Sequence, residues 1–410
     1  MFGEIFQAAP PQRQLQQGVR ALLLAVSALA FLGSLENCLG RTAHAQEPPE
    51  TKSRSFEKLA ADARAAMESN RIPEAIQLYE QATSLRPSWS QGWWYLGTIL
   101  FDSNQPRKAR DAFERFVAVE HTQPGPGFGM LGLAEFQLRE YPEALSALER
   151  GTGLGLGENA DFVRAVLYKD GILNNFLGHP EMALIRLTRI ANLTAAAHPE
   201  SPREVVLADL ELLDAFGLAA LRIANLPDEI PPPKIAMVRE AGHAQALVAL
   251  QDRVAAGNEM RQLVSKYPSE SGVHYMYGVH LLKEDPPSAI AEFRREIAVS
   301  PRNAAARIQL ALQFLAVSEY KQGLKYAKDA VALTPGDFVA HIACGKLWLG
   351  LGDAASALRE LRIAARLSPG SPDAHYALSL ALTAAGQSSE AAQQRAEFVR
   401  LKKLSGQSEQ

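Results

Sequence analysis

The chain has 410 residues, 47% hydrophobic and 21% charged, with a formal net charge of −3. That length is long for one compact core, and the near balance of charge excludes the basic footprint of a nucleic-acid-binding protein. Two cysteines, Cys38 and Cys344, exclude a disulfide framework.

At the N-terminus, Arg13 and Arg20 precede the uncharged run Ala21 to Leu35. The run is shorter than the roughly 18 residues that a spanning helix needs. Ala43-His44-Ala45 follows, a small-x-small cleavage pattern. Basic, apolar, then small-x-small is the order of a secretory signal. Residues 1–45 are therefore expected to be a signal peptide, with the mature chain starting at Gln46 in the periplasm or outside the cell. The alternative is an uncleaved anchor at residues 21–35 facing the periplasm. Glu36 and Asn37 stand where a lipoprotein signal has small residues, which argues against lipidation of Cys38. Residues 46–53 are polar and contain prolines, and are expected to be a flexible lead-in.

From residue 54 the apolar tracts are rich in Ala and Leu and poor in β-branched residues, which predicts helices. A period of 34 runs through them. Ala75 and Ala109 are 34 apart, and so are Ala289, Gly323, Ala357 and Ala391 in succession. Within the unit Phe338 to Ser371, Gly345 and Ala357 are the small residues at a helix crossing, and Gly352-Asp353 is the turn. Leu361 and Ala364 are core, and Pro369 stops the second helix. The flanking units repeat this with Ala311, Phe314, Gly323, Ala330 and Pro335, and with Leu378, Ser379, Gly386, Ala391 and Phe398. The unit near Ser271 has Gly278, Ala289, Phe293 and Pro301, with one residue fewer in its turn. The N-terminal half shows Ala63, Ala75, Tyr79 and Pro87, then Trp93, Gly97, Ala109 and Phe113, then Phe128, Gly132 and Ala144, and a degenerate set at Gly171, Ala183 and Leu187.

This pattern resembles the tetratricopeptide-repeat family over about residues 54–195 and 268–403. The resemblance implies an all-α solenoid of helix-turn-helix repeat units in a right-handed superhelix with a concave binding surface. It implies protein or peptide binding, and no enzyme activity or cofactor. Residues 196–267 are apolar and helical in pattern without a convincing 34-residue period, broken by Pro227 and Pro231-Pro232-Pro233. They read as diverged repeats or a spacer pair of helices continuing the stack. Residues 404–410 read as a disordered tail.

The candidate chemistry is thin. Gly151 to Gly157 contains a GxGxG, but a phosphate loop needs a strand before it, and a repeat helix precedes this one. His341 and His375 occupy the same position of adjacent repeats; two ligands do not make a metal site, and packing is the expectation. No Gly-x-Ser-x-Gly, His-Glu-x-x-His or Walker A motif occurs. Trp93, Trp94 and Tyr95 read as core, with Trp94 the one that faces the groove.

The expected peptide groove lies on the first helices of the C-terminal array, at positions 5, 9 and 12 of each unit, which share one helical face. These are Tyr275, Val279 and Leu282; Ile308, Leu312 and Leu315; Ile342, Lys346 and Leu349; Tyr376 and Leu380. The stripe is mostly apolar and lacks the Lys, Asn and Arg set with which this family clamps a carboxylate. An exposed apolar strip of this kind is expected to take a partner's amphipathic segment or be covered by the chain's own middle helices. The two readings of the whole chain are a non-catalytic scaffold and a membrane-tethered accessory subunit of an envelope enzyme or secretion complex, with no nucleic-acid partner in either.

Overall fold

The computed structural model describes residues 49–407, and the side chains of residues 55–404. The signal segment, its cleavage motif and Cys38 lie outside the described residues. Among those described there are twenty α-helices and no strand, as the composition predicted. No helix among them is long and apolar enough to cross a membrane.

The chain divides into two compact units, one ending at Ile235 and the other starting at Ala236. The first is built of antiparallel helix pairs: α1 (Pro49–Glu68) with α2 (Ile72–Leu85), α3 (Ser90–Asp102) with α4 (Pro106–Val119), α5 (Gly125–Gln137) with α6 (Tyr141–Leu154), and α7 (Ala160–Phe176) with α8 (Pro180–Ala197). Short α9 (Pro202–Ala208) and α10 (Leu210–Ala220) pack on α8, and two 3-10 turns, Pro227–Glu229 and Pro232–Lys234, follow. The second unit contains α11 (Ile235–Ala249), α12 (Arg253–Lys266), α13 (Val273–Leu281), α14 (Pro286–Val299), α15 (Ala304–Ala316), α16 (Tyr320–Leu333), α17 (Phe338–Gly350), α18 (Ala354–Leu367), α19 (Pro372–Ala384) and α20 (Ser388–Gln407).

The turn after the first helix of a pair is one local device used repeatedly. A single residue takes positive φ: Asn70, Asn104, Arg139, Gly178, Arg222, Gln251, Ser318, Gly352 and Gly386. The next N–H then reaches back to a carbonyl of the last helical turn, as in Gln105 N to Leu100 O at 2.9 Å and Glu319 N to Phe314 O at 2.8 Å. This is the Schellman closure, which satisfies carbonyls the helix end leaves open. The small crossing residue always stands seven positions earlier: Ala63, Gly97, Gly132, Gly171, Ala215, Ala244, Ala311, Gly345 and Ser379. The shortened turn after α13 has no such residue, and Asp285 N bonds directly to Leu281 O at 2.9 Å. Second helices start on caps and prolines. Asp353, for example, accepts from Ser356 N at 2.9 Å.

One expectation is divided and two change. Residues 196–267, expected as diverged repeats or a spacer pair of helices, fall into two parts. α10 ends in the repeat's turn at Arg222 but is followed by proline-rich 3-10 turns in place of a second helix. α11 and α12 are a repeat pair of the second unit, with Ala244, Ala256, Met260 and Leu263 buried and His243 Nδ1 2.6 Å from Glu259 Oε2 across the pair. Residues 49–53, expected in the lead-in, are the first turns of α1, because proline's fixed φ suits the first helical position. α20 runs on to Gln407, so residues 404–407 of the expected tail are helical; Lys402, Lys403 and Leu404 are good helix formers and nothing before Gly406 stops them.

Candidate partner-binding face

The expected groove stripe separates into rows of different burial. The position-5 side chains Tyr275, Ile308 and Ile342 are 7%, 6% and 5% exposed and belong to the core. Tyr275 shares a cluster with Ala306 and Leu310 of α15, Ile308 with Ala340 of α17, and Ile342 with Ala374 and Ala377 of α19. Each first helix packs on the next first helix, and that contact closes over position 5. Tyr376, on the last first helix, has no following one. It is 44% exposed, its ring 5.2 Å from that of Phe398. The continuous exposed strip anticipated from spacing is therefore narrower. Position 9 stays open: Val279 and Leu380 are exposed, and Leu312 and Lys346 half-buried. Leu282, Leu315 and Leu349 at position 12 are half-buried beside them.

The position-4 histidines are structural clamps. His341 Nδ1 is 2.7 Å from Glu360 Oε2 on α18, and Nε2 is 3.1 Å from the carbonyl of Pro335, which ends the preceding repeat. His274 repeats the arrangement with Glu292 at 2.6 Å and Pro268 O at 3.0 Å. His375 does so with Gln394 Oε1 at 2.7 Å and Pro369 O at 2.9 Å. Both ring nitrogens of each are engaged, so the imidazoles link a helix to its own partner helix and to the previous unit. Among the described residues no group of three His, Cys, Asp or Glu side chains is placed to hold a metal. Cys344 is buried, and burial pushes its thiol up to about 12, far from the reactive thiolate of a nucleophile.

A carboxylate that the spacing did not single out organises the start of α13. Glu296 is fully buried and accepts from Gly272 N at 2.9 Å, Tyr275 N at 3.2 Å and Asn303 Nδ2 at 2.8 Å. It caps a helix whose own N-cap, Gly272, has no side chain to do so. A Glu at a core position of an amphipathic helix is the one sequence signal that pointed to it.

Two further residue groups have structural roles. Trp94 is core, not groove: it is 4% exposed and packs its ring 5.3 Å from Phe116 and 6.0 Å from Phe113. The glycine run begins inside α6. A Cβ on Gly151 would lie 2.8 Å from Gly129 N, and one on Gly125 would lie 1.9 Å from Gly155 O. These glycines let α5 and α6 touch backbone to backbone, and a helix stands where a phosphate loop needs a strand.

The model of the family described as "Tetratricopeptide repeat" matches residues 61–127, 96–155 and 345–401. Among curated proteins, Protein O-mannosyl-transferase TMTC3 of Homo sapiens is 33% identical over 76 residues, 18% of this chain. The chain spans only 8% of that protein's length. Solved structures alike in fold include MamA from Desulfovibrio magneticus, at 17% identity and TM-score 0.38, covering 41% of this chain and 95% of that one. A thermophilic TPR protein of Thermus thermophilus has 20% identity and TM-score 0.35, covering 42% and 98%. Likenesses of this degree say nothing of what this chain binds. The matched segments coincide with the helix pairs, their small-residue crossings and their turns, and the chain carries tetratricopeptide repeats there within an all-α architecture of solenoid type.

Proposed function

We propose that this protein is a non-catalytic scaffold that holds a segment of a partner protein against the first helices of its second unit. The fold points to protein partners, and the observation that carries the finer reading is the row Val279, Leu312, Lys346 and Leu380. Three successive first helices seal position 5 into the core, and all four, the last with Tyr376 also open, leave position 9 accessible. Neighbouring packed helices lie 8–10 Å apart, so the row suits an apolar segment running across the helices, with an acidic residue for Lys346.

The test is Val279→Asp combined with Leu380→Asp, both at exposed sites. Such changes are expected to leave the melting temperature within about 2 °C of the parent, since exposed substitutions away from special features cost within about 0.5 kcal/mol. Proteins retained by the parent from a host extract should be lost by the variant. An unchanged set of retained proteins sinks the reading.

The scaffold is further proposed to work outside the cytoplasm, on the strength of the basic, apolar and Ala43-His44-Ala45 order of its N-terminus. N-terminal sequencing of the exported protein is expected to start at Gln46. A retained Met1 in the membrane fraction would replace this with the tethered accessory-subunit reading.

A further inference from the structure

A cavity of about 430 Å³ opens between α5 and α6 in the first unit. Phe128 and Leu131 form an apolar wall, Glu135 and Glu143 line one end, and Arg150 lies over the Phe128 ring at 4.1 Å at the other. Seven residues of helix separate Phe128 from Glu135, so the two ends are about 10 Å apart. Glu135 is 7% exposed, and its Oε2 is buried without a hydrogen-bond partner. Protonation does not remove the deficit, because an O–H there would still lack an acceptor. Nor does packing call for an acid at this position. Three after the crossing residue the other repeats have Leu100, Leu218, Leu247, Phe314, Trp348 and Leu382, with Ala66 and a hydrogen-bonded Asn174 as the exceptions and an acid in none.

The surroundings favour a cation. Glu114 of α4, Glu140 of the turn and Glu143 of α6 all act on Glu135, with Arg110 of α4 as the opposing charge. Arg110 is already committed to Glu140 at 3.0 Å and Asp111 at 2.8 Å. From α7, Lys169 lies with its ammonium over the Phe136 ring at 4.3 Å.

We propose that this cavity binds the basic side chain of a protein segment, its aliphatic stem along Phe128 and Leu131 and its charged head on Glu135. Arg150 sets the polarity: an acidic residue of the same segment sits at the opposite end. Three residues of extended chain span that distance at roughly 3.3–3.6 Å each. Burial, followed by the neighbouring carboxylates, pushes the Glu135 carboxyl up to about 7. A proton therefore competes with the ligand, and binding strengthens about tenfold per pH unit up to about pH 7, then levels.

The probe is the peptide acetyl-Gly-Lys-Ala-Ala-Glu-Gly-amide, titrated into the full chain and followed by NMR. Replacing its lysine with norleucine, or making Glu135→Gln in the protein, is expected to weaken binding at least tenfold. Ser146→Trp, at an exposed position on the cavity rim, is expected to abolish it while leaving helicity unchanged. Circular dichroism of each variant confirms that it is folded. No binding to the parent, equal binding of the norleucine peptide, a flat profile between pH 5 and 7, or an equal loss from the remote Glu204→Gln would each overturn the proposal.

Discussion

Gly345→Leu is expected to destabilise the second unit by about 3 kcal/mol, the upper part of the range for overpacked cores. A Cβ at this position would stand 2.4 Å from Leu361 Cγ and 2.8 Å from its Cδ2, before any of the leucine's remaining atoms are placed. Leu361 is itself fully buried, so it has no free volume to retreat into. The crossing of α17 on α18 must open, and because each repeat supports its neighbours the effect spreads to α15 and α19. Urea unfolding followed by circular dichroism reads this as a lower midpoint. Gly336→Leu is the control, since a Cβ there meets nothing within 4 Å. Equal stability of Gly345→Leu and the parent would contradict the helix crossing itself.

Glu296→Ala is expected to cost about as much by a different route. The change strands two buried backbone donors at the start of α13 and the amide of Asn303. Buried donors left without partners cost about 1–3 kcal/mol each, and hydrogen bonds to a charged group are at the strong end. Partial relaxation brings the expected total to about 3 kcal/mol. Glu296→Gln should fall between, because its carboxamide keeps one accepting oxygen but turns an NH₂ toward donors. Amide hydrogen exchange gives the site-specific measurement: protection should fall first at Gly272 and Tyr275. Loss spread evenly over the unit, with those two no worse than the rest, would show that Glu296 acts through packing and not as a cap.

The two variants probe different levels of legibility. Gly345 was visible in the sequence because the repeat places a small residue there at a fixed distance from Ala357 and from the turn at Gly352. Glu296 was not, because its role depends on Gly272 lacking a side chain and on α13 lying against α14. The left-handed turn residues were visible only where they are glycine, as at Gly352 and Gly386. Asn70 and Gly352 are residue types that favour positive φ, but Arg139, Arg222, Gln251 and Ser318 hold the same conformation at about 1–2 kcal/mol each. Tertiary packing imposes it on them. The first helices ending at Arg222 and Gln251 escaped a search for period because the crossing residues Gly171, Ala215 and Ala244 are 44 and 29 apart, not 34.

The groove shows the same division. Spacing alone placed Tyr275, Val279 and Leu282 on one face of a helix, and likewise their equivalents in the next three units. A helical face says which side chains share a direction, not which neighbour lies in that direction. The packing of each first helix on the next decided that Tyr275, Ile308 and Ile342 are sealed in, that Val279 and Leu380 are open, and that Tyr376 is uncovered where no further first helix follows. Sequence by itself determined the helix-pair repeat, its crossing residues and its stop signals, since these rest on local sterics and a strict period. The tertiary structure alone decided where one unit stops and the next begins, which buried carboxylates serve as caps and which lack partners, and how much of an apolar stripe meets solvent, since each of these is a relation between helices distant in the chain.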